Sequence, residues 1–150
     1  AALRARPSLR RLRLKGAPGA DEVLRCIGQH CTGLVELNLQ GCRDLSDVGL
    51  YHLRGTCGAL EALVLSECPR VTSEALARLT EAGMRLCAAE LKGCQLRAGI
   101  GPSLAVSLRL HTLNLEGCGG IRDIDLLALA PLAGLTTLNL AQCRLTPGVC

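Results

Sequence analysis

Hydrophobic positions along the chain follow one recurring phrase, Leu-x-x-Leu-x-Leu. It occurs at Leu9, Leu12, Leu14; at Leu34, Leu37, Leu39; at Leu60, Leu63, Leu65; at Leu110, Leu113, Leu115; and at Leu135, Leu138, Leu140. A degraded copy reads Leu86, Ala89, Leu91. The copies start at 9, 34, 60, 86, 110 and 135, so successive starts lie 25, 26, 26, 24 and 25 residues apart. A pitch this constant marks a repeat architecture. Within Leu-x-Leu the side chains alternate, which predicts a short strand with both leucines inward and the residue between them outward. The second half of each copy reads as helix. Ser46 and Thr72 are expected N-caps, and Asp47 and Glu74 follow them where a carboxylate complements the helix dipole. Leu50, Leu53 and Cys57 then share one helical face, as do Leu76 and Leu79. In copy four, Gly99, Gly101 and Pro102 disfavour a helix, so a short or irregular one is expected to begin near Ser103. Units of strand, turn and helix that cannot bury their own faces must stack into a solenoid.

The composition fits such a stack. Of 150 residues 49% are apolar, yet Tyr51 is the only aromatic. A ladder of identical leucines packs at constant layer spacing, and a Phe in one layer would break it. Without aromatics the chain cannot build the stacking platforms of single-strand nucleic-acid modules, and an aromatic-lined groove for proline-rich peptides is ruled against. Residues 126–143 carry no formal charge but include Pro131, Gly134, Thr136, Thr137, Asn139 and Gln142, so they are read as part of the repeat and not as a membrane span. Residues 1–8 form a lead-in, and 9–150 hold about six repeats, the last cut short. Neither end reads as a polar cap, so the chain is expected to be a piece of a longer array.

Cysteines follow the same period. Five of the ten stand three residues after the last Leu of a copy: Cys42, Cys68, Cys94, Cys118 and Cys143, with Ala17 in the first copy. Cys31 and Cys57 stand three residues before an opening Leu, and only Cys26, Cys87 and Cys150 lack a place in the repeat. The copy from Cys31 to Cys42, followed by Leu45-Ser46-Asp47, together with Val71-Thr72-Ser73 after Cys68 and Ile121-Arg122-Asp123 after Cys118, resembles the cysteine-containing subtype of the leucine-rich repeat family. The resemblance implies an α/β fold: a right-handed horseshoe arc with parallel strands on the concave face and helices on the convex face. It also implies that the turn thiols are buried, reduced and weakly bonded to neighbouring backbone. Stacked thiols at layers ~4.8 Å apart would also lie near disulfide range. Unpaired thiols in such numbers point to a reducing compartment, the cytoplasm or the nucleus.

Chemistry is sparse. No Walker loop, Gly-x-Gly-x-x-Gly or Gly-x-Ser-x-Gly occurs. Cys26, His30 and Cys31 invite a zinc or Cys–His reading, but Cys31 has a repeat position and no Cys-x-x-Cys completes a site. His52 and His111 are expected at the surface. No enzyme activity, cofactor or metal is expected.

The surface remains. The outward strand positions are Arg11, Arg13 and Lys15; Glu36, Asn38 and Gln40; Ala62, Val64 and Ser66; Ala88, Glu90 and Lys92; Thr112, Asn114 and Glu116; and Thr137, Asn139 and Ala141. From these, Arg11, Arg13, Lys15, Glu36, Asn38, Gln40, Val64, Ser66, Glu90, Lys92, Asn114, Glu116 and Asn139 are the candidate protein contacts. The net charge of +4 divides into +6 over residues 1–20, which include Arg4 and Arg6, and −2 over the rest, making the first layer basic. A solvated basic face explains that layer better than nucleic acid does. The resemblance implies a non-catalytic binding module, as in the substrate-recognition arms of F-box subunits of Skp–cullin–F-box ubiquitin ligases. An F-box would have to precede Ala1, so Skp–cullin partners depend on a segment outside this sequence. The alternative is a scaffold or regulatory subunit outside ubiquitin chemistry, cytoskeletal or ciliary.

Overall fold

In the computed structural model, residues 8–54, 58–107 and 109–146 are described. The expectations placed on Arg4, Arg6, Cys57 and Cys150 lie outside them. Strands and helices alternate: β1 (Arg11–Arg13), α1 (Ala20–His30), β2 (Glu36–Asn38), α2 (Asp47–Tyr51), β3 (Ala62–Val64), α3 (Ser73–Glu81), β4 (Ala88–Glu90), α4 (Gly101–Ala105), β5 (Thr112–Asn114), α5 (Asp123–Ala128) and β6 (Thr137–Asn139). The strands form one parallel sheet in chain order, β1 to β6. Strands neighbour the strands of adjacent repeats and helices the adjacent helices, and side chains of both layers meet in one core. This is a right-handed leucine-rich-repeat solenoid, an arc with strands on the concave face and helices on the convex face.

Register follows the leucine phrase. Leu12 pairs with Leu37, Leu37 with Leu63, Leu63 with Ala89, Ala89 with Leu113 and Leu113 with Leu138. Leu37, Leu39, Leu63, Leu65, Leu91 and Leu113 are fully buried, and Ala89 fills its layer at 1% exposure. Burying an aliphatic side chain of this kind contributes about 1.5–3 kcal/mol, which is how strands of three residues are held.

The turn after each strand needs one left-handed residue. Gly16, Gly41, Gly93 and Gly117 occupy it at φ 64 to 72°, and Glu67 and Gln142 occupy it at φ 61°. The backbone N–H of this residue donates to the next repeat: Gly41 to Ser66 at 2.8 Å, Glu67 to Lys92 at 2.8 Å. A side chain in this conformation clashes with its own carbonyl, which makes glycine the natural occupant.

The cysteine three residues beyond the last inward Leu, next after the left-handed turn residue, then closes the layer. Cys42 Sγ donates to Leu14 O at 2.9 Å, and Cys68, Cys94, Cys118 and Cys143 donate to Leu39, Leu65, Leu91 and Leu115 O at 3.1 Å each. The thiol therefore satisfies a carbonyl of the preceding repeat, as the resemblance implied.

A second ladder joins the helix starts. Ser46 caps α2 by accepting from Val48 N–H, and Thr72 caps α3 by accepting from Glu74 N–H. Each cap residue is itself held from the preceding repeat. Asp21 accepts the Ser46 N–H at 2.9 Å and hydroxyl at 2.5 Å; Asp47 does the same for Thr72 at 2.9 and 2.6 Å; Asp123 does so for Thr146. In α2, Gly49 is what lets α1 come close enough: a Cβ there would lie 2.2 Å from Asp21 Oδ1.

Repeat four departs from this pattern. Residue 98 is Ala, so nothing at that position can hold the next cap. Asp125, 1% exposed, reaches back instead, accepting from Gly99 N–H at 2.8 Å, Gly101 N–H at 2.9 Å and Arg122 N–H at 3.0 Å. Helix α4 begins at Gly101, two residues before the expected Ser103, because Pro102 lacks only an N–H that the first turn leaves unbonded anyway. Helix α2 is shorter than the face through Cys57 suggests. It ends at Tyr51, and Leu53 and Arg54 continue by tighter bonds to Leu50 and Tyr51.

Two outcomes follow from these joints. Glu67→Gly and Gln142→Gly are each expected to stabilise the chain by about 0.5–1 kcal/mol, since relief of the left-handed strain outweighs the entropy of glycine; urea midpoints measure this, and an unchanged or lower midpoint refutes it. Asp125→Ala strands three backbone donors and is expected to cost about 3 kcal/mol, read from the same curves.

Candidate functional site

The outward side chains of the six strands form a continuous strip. Side chains flanking the buried central residue are half-buried in β2 to β5 and exposed in β1. The structure thus brings Arg11, Arg13, Glu36, Asn38, Val64, Glu90, Asn114 and Asn139 onto one face, with Lys15, Gln40, Lys92 and Glu116 at its turn edge. Ser66 differs. It is 8% exposed, in register with Gln40 and Lys92 of the adjacent layers.

Charges on the strip pair across layers. Arg13 Nη2 and Nε reach Glu36 Oε1 at 2.9 and 3.2 Å, and Arg11 Nε lies 3.5 Å from Glu36 Oε2. The first layer is therefore basic but partly neutralised by the second. Lys92 Nζ meets Glu116 Oε1 at 2.8 Å, and Asn139 Nδ2 donates to Glu116 Oε2 at 3.2 Å. The Lys92 hydrogen bond holds the Glu116 carboxyl below its ordinary range and raises the Lys92 ammonium above its own. Lys15 and Glu90 have no ion-pair partner among the described residues.

The asparagines have a task of their own. Oδ1 of Asn38, Asn114 and Asn139 accepts the N–H of Gln40, Glu116 and Ala141, each at 3.0 Å. These Asx bonds end the strand and start the turn, leaving the amide NH2 of Asn38 and Asn114 for a partner, while that of Asn139 donates to Glu116. Between the two charge clusters lie Ala62, Val64 and Ala88, half-buried, small and neutral.

Beneath the turn edge run the thiols. Burial pushes Cys68 and Cys118 up to about 11 and Cys94 up to about 12, so they stay protonated donors at neutral pH. The eight described cysteines are all free thiols. Cys26 and His30 sit on α1 and Cys31 at its C-cap, and among the described residues no group of three His, Cys, Asp or Glu could hold a metal ion. His111 is exposed and its carbonyl accepts from Thr136 and Thr137 N–H; His52 is half-buried. No helix among the described residues is long and apolar enough to cross a membrane.

Composition flagged Tyr51 only as the lone aromatic. It lies 46% exposed on the convex side in a groove of about 330 Å³ between α2 and α3, beside Val48, with the Arg54 guanidinium 4.7 Å from its ring centre. The i, i+3 spacing of Val48 and Tyr51, outward of Leu50, was the signal for it.

Residues 30–53, which span the end of α1, β2 and α2, match the family profile described as Leucine Rich repeat.

Because the thiol ladder bonds only in its protonated form, stability should be flat to about pH 8. The folded thiols titrate above the unfolded value of 9.0, so stability is lost as pH rises from there through 11 to 12. Urea midpoints across this range test it. Cys94→Ala should weaken the parent's alkaline slope, and an identical slope would refute the ladder as its source.

Proposed function

We propose that the chain is a non-catalytic protein-binding module whose strand face receives a segment of a partner protein. The match of residues 30–53 to a leucine-rich repeat and the six-layer strand face support this reading. The observation that carries it is the neutral stretch Ala62, Val64 and Ala88, set between the Arg11–Arg13–Glu36 and Lys92–Glu116–Asn139 clusters. A partner's apolar side chain resting there removes water from aliphatic surface, while both charge clusters, already satisfied within the protein, form a rim with little desolvation cost. Lys15 and Glu90 are the charges left over to choose between partners.

We extend the reading to a substrate-recognition arm of an F-box-type ubiquitin ligase receptor, working in the reducing cytoplasm or nucleus. The buried thiols at the turn positions accord with the cysteine-containing repeat subtype, whose members often serve so. The alternative, a scaffold outside ubiquitin chemistry, uses the same surface without Skp and cullin.

Affinity capture with the full-length protein separates the two. Skp and cullin are expected to co-purify, and their absence defeats the ligase reading while leaving the binding module intact. Val64→Arg and Ala88→Arg should lower recovery of the target protein tenfold or more with circular dichroism unchanged and Skp retained. Target recovery equal to that of the parent would refute the strand face as the binding surface.

A further inference from the structure

A second surface lies on the edge of the arc where each helix leads back to a strand. Arg85 and Arg109 hold equivalent places there, one residue before the opening leucines Leu86 and Leu110 of adjacent repeats. Both are exposed, and neither has an ion-pair partner among the described residues. With Met84, Val106 and Ser107 they line a cavity of about 280 Å³, and no carboxylate is among its described lining residues. Val106 is 65% exposed. Ser107 is 95% buried as a residue: its N–H donates to Leu104 O at 3.0 Å and its carbonyl accepts from Leu110 N–H at 2.9 Å, while its hydroxyl, without a partner among the described residues, is open to solvent.

Each feature asks for the same occupant. The Ser107 hydroxyl, open to water and without a partner among the described residues, can donate to an acceptor oxygen placed in the cavity. Two exposed guanidiniums from successive layers line the same cavity, and a guanidinium pairs well with a carboxylate. Met84 and Val106 offer aliphatic surface beside them. The volume suits one or two side chains, below the range of cavities that enclose whole small ligands.

We propose that this cavity docks an acidic segment of a partner protein, seating an aliphatic side chain on Met84 and Val106 and an adjacent carboxylate between Arg85, Arg109 and the Ser107 hydroxyl. The site is separate from the strand face and does not depend on the reading given to that face.

Fluorescence anisotropy with the 150-residue chain and a labelled Gly-Ser-Glu-Leu-Glu-Ser-Gly peptide tests it. The peptide should bind, and replacement of both Glu by Gln should weaken binding tenfold or more. Arg85→Gln and Arg109→Gln, both at exposed positions, should each weaken it about fivefold, and Ser107→Ala at least twofold, with circular dichroism unchanged. Val64→Arg should leave it unaltered. The proposal is overturned by no binding at millimolar peptide, by parent-like binding in the double arginine variant, or by loss of binding in Val64→Arg. It is equally overturned if inorganic phosphate displaces the peptide and the Gln peptide binds as well as the Glu peptide, which marks a small-anion site.

Discussion

Every layer of this protein is closed by the next one, and that dependence shapes the rest. A strand of three residues and a helix of five to eleven cannot hold themselves in water. They persist because the parallel ladder fixes adjacent layers at one spacing, so that the same residue type recurs above and below. Leucine suits that spacing at the three inward positions, and glycine suits the turn. Tyr51, the one aromatic, lies on the convex side, outside the repeating ladder.

Three ladders reinforce the leucine core, and they fail in different layers. The thiol ladder begins at Cys42, because Ala17 has no donor to give. The left-handed turn loses glycine at Glu67 and Gln142. The aspartate ladder, taken up by Ser73 in repeat three through its bond to Arg97 N–H at 2.7 Å, lapses at residue 98 and is replaced by Asp125. Among the described residues each layer that lacks one tie keeps at least one other, so each defect is bridged by bonds of another kind.

Much of the fold was legible from one period. The leucine phrase placed all six strands and their register, and Ser46 and Thr72 announced the caps. Other features were harder because they depend on pairs of residues about 25 apart. Asp21 and Ser46, or Asp47 and Thr72, look like ordinary helix-start residues until the register sets them side by side. Glu67 carries no mark of a left-handed turn in its side chain; only its alignment with Gly41 and Gly93 reveals it. The strip of outward residues was also legible, but its electrostatics were not. That Glu36 meets Arg13, and that the Asn38 oxygen closes its own turn, cannot be read from the sequence. Side-chain direction, which decides both, is a property of the packed layer.

The thiol rungs have one more consequence. A sulfur held 3.1 Å from a carbonyl has no space for an added oxygen, and a protonated thiol is a poor target for oxidants. While the arc is intact its buried rungs, Cys42, Cys68, Cys94 and Cys118, are chemically silent. Once a layer opens, the same sulfurs become reactive together, and oxidation or crosslinking would block the layer from closing again. For this protein, lifetime in an oxidising medium is set by how often its layers open.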